Sequence, residues 1–262
     1  MQEAAIREAA QILWSNWQAG MQIESLPSTC RPSSRVDGYA VQAAVQAASG
    51  ASVFGWKIAA TSAAGQAHIG VDGPLAGRLL AGRAHDGGVV LPLAGNHMCV
   101  AEPEFAFRLA RTLPPRAASY ATDEVLAAVS TLHPAIEVPD SRYRDFASVG
   151  AAQLIADNAC AHYFVLGAPA PDGWRGIDLA EYVVSGIVTG RLTRQGKGAN
   201  VLGDPRIALT WLANELSRLG IALEAGHVVT TGTCVPPLEV VAGDHVIADF
   251  GALGKTEVRF GH

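Results

Sequence analysis

Residues Ala101–Leu109 read AEPEFAFRL, and their alternation has the period of a β-strand. On a strand, positions i and i+2 share a face. Glu102 and Glu104 therefore aim at one spot, while Phe105, Phe107 and Leu109 turn the other way toward a core. On a helix the two carboxylates would diverge by about 200°. Like charges held side by side against an apolar layer repel each other and lose hydration. A divalent cation relieves both penalties; a pair of exposed glutamates on an edge strand is the plainer alternative.

A third carboxylate lies in Leu132–Asp140, LHPAIEVPD, where Glu137 sits between Ile136 and Val138. If this segment is a strand, its two aliphatic neighbours face the core and Glu137 faces away. Three glutamates offered from strand faces make a hard, all-oxygen site suited to Mg²⁺ or Mn²⁺, with positions left for water and substrate. Glu137 as the solvent-facing residue of an amphipathic strand is the other reading. Lys57 lies in the apolar run Val53–Ala60, VFGWKIAA, in a chain whose only lysines are Lys57, Lys197 and Lys255. It shares a face with Gly55 and Ala59, opposite Phe54, Trp56 and Ile58, and small neighbours leave it room to enter a pocket. An amine beside three glutamates would hold a carboxylate substrate or move a proton. The alternative is a lysine snorkelling at a strand end. Asp72, between Gly70 and Gly73-Pro74, belongs to a tight turn, where aspartates usually bond their own backbone.

At 262 residues, 49% apolar and 16% charged, the chain suits a globular fold with a substantial core. Its net charge of −5 argues against nucleic acid or anionic membrane as the main partner, and no apolar run is long enough to span a bilayer. The opening MQEAAIREAAQILWSNW has helical spacing and acidic residues, unlike a signal peptide. Cys30, Cys99, Cys160 and Cys234 are far apart with no CxxC pair, which fits reduced thiols and a cytoplasmic protein.

The spacing predicts a helix ending near Gly20, a second over Arg35–Ser49 capped by Gly50, and a strand over Val53–Ala60. A glycine-rich loop is expected from Gly65 to Gly82, then short strands from Gly88 to Leu109. Helices are expected over Asp123–Thr131 and Phe146–Cys160, with a strand at Leu132–Val138 between them. Val183–Arg194 reads as a strand leading into a long loop. The clearest helix starts at Asp204, its cap, with Pro205 first and Leu209, Leu212, Leu216 and Leu219 as its stripe. Short strands fill Ile221–Phe260. Strands outnumber helices late in the chain without regular alternation, which predicts an α+β fold with a mainly antiparallel or mixed sheet. The expected organisation is an N-terminal helical part, 1–85, and a β-rich metal-binding part, 86–262, forming one continuous unit.

Other chemistries find no support. There is no GxSxG, GxxxxGK[ST] or HExxH, and Gly196, Gly198 and Gly203 do not make a dinucleotide fingerprint. The histidines show no ligand spacing, and His68, His97, His133 and His162 are expected to be structural or exposed.

Seven stretches together carry a resemblance. They are GWKIAATS (Gly55–Ser62), GVDGPLAGRL (Gly70–Leu79), EPEFAFRL (Glu102–Leu109), AIEVPDSRY (Ala135–Tyr143), IADNACAHYFVLG (Ile155–Gly167), VLGDPRIALTWLANELSRLGIAL (Val201–Leu223) and VVTTGTCVPPLEVVAGDHVIADFGALG (Val228–Gly254). In these, and in their order, the chain resembles the fumarylacetoacetate hydrolase superfamily, within it the branch of 2-oxopent-4-enoate (2-hydroxypentadienoate) hydratases and 4-oxalocrotonate decarboxylases. The resemblance implies a mixed β-sheet or β-roll core with a small N-terminal helical part, and Mg²⁺ or Mn²⁺ held by Glu102, Glu104 and Glu137. It matches Lys57 and Asp72 to catalytic positions and Asp140 to a substrate-binding position beside the metal-binding strand. Where relatives often carry a serine-containing pair, Ser-Ser or Ser-Ala, this chain has Cys160-Ala161; where many hydratases have serine in the late turn, Thr233 would offer substrate its hydroxyl.

The implied activity is hydration of a 2-hydroxy-2,4-dienoate to a 4-hydroxy-2-oxo acid in aromatic-compound catabolism, with the cation as Lewis acid. Decarboxylation of 4-oxalocrotonate is the alternative. An acylpyruvate C–C hydrolase, for which no His–Glu lid pair is evident, and a non-catalytic partner subunit stand further off. The implied partners are a small 2-oxo or 2-hydroxydienoic acid and further subunits: copies of this chain, or a homologous decarboxylase or hydratase.

Overall fold

A computed structural model describes residues 1–261. Two helices open the chain. α1 (Glu3–Ala19) ends at Gly20, whose φ of 60° lets the chain turn out of the helix. α2 (Arg35–Ser49) begins where the Ser34 side chain accepts the Asp37 amide and stops at Gly50. These helices bury Leu13, Trp17, Val41 and Val45 in a small cluster with Leu26 and Tyr143.

The elements that follow are β1 (Val53–Ala59), α3 (Ala63–His68), β2 (Leu75–Leu80), β3 (Ala84–Asp86), β4 (Val89–Pro92), β5 (Val100–Leu109), α4 (Thr122–Ala127) and β6 (Val129–Val138). Then come α5 (Ala151–Ala156), β7 (Tyr163–Leu166), β8 (Val183–Val188), β9 (Leu192–Lys197), α6 (Pro205–Arg218), β10 (Val228–Thr233), β11 (Leu238–Glu239), β12 (His245–Asp249) and β13 (Lys255–Gly261). One sheet runs β2-β1-β10-β5-β6-β7-β3, with β11 added beside β5; the second runs β4-β13-β12-β8-β9. Pairing is antiparallel except at β1–β10, β3–β7 and β4–β13. The fold is therefore α+β with mixed sheets, as the sequence predicted. The expected boundary at residue 85 falls inside β3, and β1 and β2 share a sheet with β5 and β6.

The central strands are covered on both faces. Phe105 and Phe107 are fully buried, and Phe105 meets Phe250 edge-to-face at 4.9 Å. Burying each ring contributes about 1.5–3 kcal/mol. Gly55 has no room for a side chain, because a Cβ would lie 1.9 Å from the Val228 carbonyl oxygen.

Four local expectations need correction. The predicted loop at Gly65–Gly82 contains the end of α3 and all of β2, whose LAGRLL is buried at every position. The helix expected over Asp123–Thr131 stops at Ala127, and β6 begins at Val129, where Val129 and Thr131 favour extended backbone. The Phe146–Cys160 helix shrinks to α5, opened by Gly150 at φ 83° and closed by a left-handed turn at Asn158–Cys160. Val183–Arg194 is a hairpin, turned at Gly190 with φ 75°, and its second strand takes in part of the predicted loop.

Candidate metal centre and active site

β5 delivers Glu102 and Glu104, and β6 delivers Glu137 directly opposite Glu102 in the ladder. One carboxylate oxygen from each of the three lies within 4.8 Å of the others. Glu104 is fully buried and Glu137 almost so, while Glu102 is half-buried. The strand reading of 101–109 thus holds, and Glu137 converges with the pair.

Glu104 Oε2 accepts the Thr230 hydroxyl at 2.5 Å and the Gly232 amide at 2.8 Å, both from β10. Its other oxygen has no hydrogen-bond partner, and neither oxygen of Glu137 has one. The Lys57 ammonium lies 2.9 Å from Glu137 Oε1, an ion pair without hydrogen-bond alignment. Burial pushes the Glu102 carboxyl up to about 7, helped by Glu137. Burial likewise raises Glu104, with Glu137 and Glu102 adding to the effect. Burial raises Glu137 too, against the pull of Lys57. Buried carboxylate oxygens that face each other unpartnered fit a hard divalent cation, which supplies the missing positive charge. Mg²⁺ fits this donor set, and Glu102, Glu104 and Glu137 could hold it.

Lys57 arrives from β1. Register carries it through Thr230 and Ala106 to His133 on β6, well short of Glu137. In a flat sheet the two would be about 14 Å apart across the strands and about 13 Å along them. Their contact therefore reports the curl of the sheet, which folds β1 over β6. Burial alone would lower the Lys57 pKa, but Glu137, Glu102, Cys160 and Glu104 outweigh it and hold the amine protonated well above its usual range. Its second partner is the Ala159 carbonyl, at 2.8 Å.

That carbonyl comes from an unusual turn. Asn158, Ala159 and Cys160 have φ of 56°, 49° and 62°, three successive left-handed residues with none of them glycine. Each costs roughly 1–2 kcal/mol against right-handed backbone. The Asn158 amide anchors the turn to β2, accepting from the Arg78 N–H at 2.6 Å and donating to its carbonyl at 2.7 Å.

Above these residues opens a cavity of about 880 Å³, walled by Lys57, Glu102, Cys160 and Thr233 on one side and apolar groups such as Met98 and Phe146 on another. Thr233 lines this cavity, and its hydroxyl donates to the Val235 carbonyl at 2.5 Å. Asp140 does not face the cavity. It is buried, and its Oδ1 accepts the His97 and Met98 amides at 2.7 and 3.2 Å, so it secures the loop that carries Met98 into the wall. Asp72 is exposed in the turn before β2 and is not part of the cavity wall. His68 and His97, expected to be structural or exposed, are both cavity-lining. Thr230, the Gly232 amide and the Ala159 carbonyl were missed by sequence reasoning. The glycine of the TTGT stretch was their one visible signal, because Gly232 takes φ 98° beside Glu104.

Three glutamates and a lysine beside a largely apolar cavity, on a curled mixed sheet, mark a divalent-metal enzyme acting on a small molecule. The chain belongs to the fumarylacetoacetate hydrolase family: the family model "Fumarylacetoacetate (FAA) hydrolase C-terminal" matches residues 40–260. It is 36% identical over 245 residues to a 2-keto-4-pentenoate hydratase of Burkholderia vietnamiensis, covering 92% of each chain. It is 33% identical over 215 residues to a 2-hydroxyhexa-2,4-dienoate hydratase of Comamonas testosteroni, covering 81% of this chain and 80% of that one. Among solved structures, the 4-oxalocrotonate decarboxylase of Pseudomonas putida G7, complexed with magnesium and adipate, superposes with TM-score 0.89 at 26% identity, over 99% of this chain and 98% of that one. No helix among the described residues is long and apolar enough to cross a membrane.

Proposed function

We propose that this protein is a divalent-metal-dependent hydratase that adds water to a 2-hydroxy-2,4-dienoate of the 2-keto-4-pentenoate type, giving a 4-hydroxy-2-oxo acid. The observation that carries the reading is the convergence of Glu102, Glu104 and Glu137 with Lys57, where Glu102 and Lys57 open onto one cavity. The relatives named as hydratases, similar over most of their length, support the choice of reaction.

Bound Mg²⁺ would supply Lewis-acid stabilisation of negative charge developing on the substrate's oxygens. The three glutamates hold the ion, with Thr230 and the Gly232 amide fixing the orientation of Glu104. Lys57, protonated and fixed by the Ala159 carbonyl and Glu137, binds the substrate carboxylate end and carries the proton exchanged as the dienol becomes the oxo acid. Thr233, on the cavity wall, offers its hydroxyl once its bond to Val235 is exchanged for substrate. The apolar wall excludes bulk water around the diene and strengthens these interactions. Asp72, outside the cavity wall, has no step in this scheme.

Decarboxylation of 4-oxalocrotonate is the second reading, favoured by the likeness to the magnesium-bound decarboxylase. The two separate in one assay. Purified protein with Mg²⁺ and 2-hydroxypenta-2,4-dienoate should remove the dienol absorbance. No loss of absorbance, with CO₂ released from 2-oxohex-3-enedioate, would replace the hydratase reading by the decarboxylase one. The proposal includes a homo-oligomer, to be read by light scattering, and a reducing cytoplasmic setting, which the four free thiols support.

A further inference from the structure

The left-handed turn that faces Lys57 is held from behind. Arg142 is almost fully buried and lies outside the cavity wall. Its guanidinium pairs with the Asp157 carboxylate and donates to the Asp157 carbonyl at the start of the turn. It also donates to the Ala161 carbonyl at the end of the turn, at 3.2 Å, and to the Asp140 carbonyl at 2.8 Å. The Asp157 carboxylate in turn accepts the Ser141 hydroxyl at 2.7 Å and the Arg142 amide at 3.0 Å. The Trp17 ring covers the guanidinium at 4.3 Å. On the side of β1 and β2 the turn is held by the Asn158 amide on Arg78 and by Lys57 on the Ala159 carbonyl, so the Arg142 clamp is what fixes its two ends. Gly77 packs directly against the turn: a Cβ there would meet the Asn158 carbonyl at 2.3 Å and the Lys57 stem at 3.0 Å.

Three non-glycine residues in left-handed backbone persist only where their surroundings over-determine them. Here one planar, five-donor group grips both ends of the strained turn, a geometry that a lysine's single ammonium does not reproduce. We propose that Arg142 is a positioning residue for catalysis: by clamping Asp157 and Ala161 it keeps Asn158–Cys160 left-handed, so that the Ala159 carbonyl points at Lys57 Nζ and fixes the ammonium over the carboxylates. Asp157 completes the clamp by orienting the guanidinium. The inference rests on the role given to Lys57 in the proposed hydratase.

Arg142→Lys tests it, because the charge opposite Asp157 is kept while the fork is lost. The expected result is a fall in kcat of about tenfold or more with Mg²⁺ affinity nearly unchanged. Adding Ala159→Gly to Arg142→Lys should recover most of the lost kcat, since glycine takes positive φ without strain and the turn then needs less clamping. A second readout needs neither metal nor turnover. In metal-free protein, acylation of Lys57 by acetic anhydride, followed peptide by peptide by mass spectrometry, should be at least tenfold faster in Arg142→Lys than in the unmodified chain. If Arg142→Lys folds with unchanged kcat and unchanged Lys57 acylation, the positioning role is wrong although the hydratase reading stands. If Arg142→Lys is instead unfolded, Asp157→Asn takes its place, with the same kcat and acylation criteria. An unmodified chain without hydratase activity defeats the hydratase reading, and the acylation rates then decide on the clamp alone.

Discussion

Glu102 and Glu137 face each other directly across the β5–β6 ladder, two carboxylates in one cross-strand pair. Like charges so placed destabilise a sheet, and here the partly buried setting sharpens the repulsion. The ladder is thus strained electrostatically without a cation and relieved with one. At Mg²⁺ a hundredfold above its dissociation constant, the native state should gain about 2.7 kcal/mol. For a chain of this length that is roughly a 5–10 °C rise in Tm between EDTA and saturating Mg²⁺. Differential scanning fluorimetry reads it directly. In Glu104→Gln the rise should vanish; an undiminished rise would place the cation elsewhere.

Replacing Lys57 by methionine keeps the stem's packing and removes the proton carrier. We expect kcat to fall by about 10²–10⁴ while Mg²⁺ binding survives, because the glutamate oxygens are untouched. Loss of dienol absorbance under saturating substrate measures the first, and titration calorimetry the second. Near-normal turnover would remove Lys57 from the mechanism.

Thr230 sits behind Glu104 and donates to it at 2.5 Å from a fully buried position. Thr230→Val preserves shape and leaves Glu104 Oε2 with the Gly232 amide alone. Partners of metal ligands typically matter by 10–100-fold in affinity, so the Mg²⁺ dissociation constant should rise by about that factor with little change in Tm of the metal-free protein. An unchanged constant would mean that Gly232 suffices to orient the carboxylate.

What was legible in the chain followed from short-range periodicity. The i, i+2 spacing of Glu102 and Glu104 and the Asp204-Pro205 start of α6 each specify local geometry, and both were read correctly. The ends of elements were harder, because tertiary contacts decide them. Residues 146–160 have helical composition, yet Gly150 and the Arg142–Asp157 pair confine the helix to Ala151–Ala156. At the site, Lys57 was legible as a charge in an apolar strand. Its contact with Glu137 was not, because it depends on the curl of a whole sheet. Asp140 was expected to bind substrate, from its place after the metal strand, but its carboxylate is taken by the backbone amides of residues 97 and 98. Backbone groups such as the Ala159 carbonyl leave no residue-type signal at all.

His162 makes the fold acid-sensitive. It is buried, and its Nδ1 accepts the Trp17 indole N–H at 2.8 Å, which requires a neutral ring with its proton on Nε2. Burial, then Arg83, Arg142 and His97, drives its pKa down to about 2, whereas in the unfolded chain it should titrate near 6.5. Above pH 6.5 the imidazole is neutral in both states and does not alter stability. Below 6.5 the unfolded chain takes up a proton that the folded chain refuses, so stability drops by about 1.4 kcal/mol for each pH unit until the folded pKa is reached. His162→Gln keeps an acceptor for Trp17 and removes the titration. Urea unfolding at pH 7.5, 5.5 and 4.5 should show the slope of stability against pH shallower in the variant by about 1.4 kcal/mol per unit below 6.5. The two proteins should run parallel above that pH, and equal slopes throughout would mean that the imidazole is protonated in the fold.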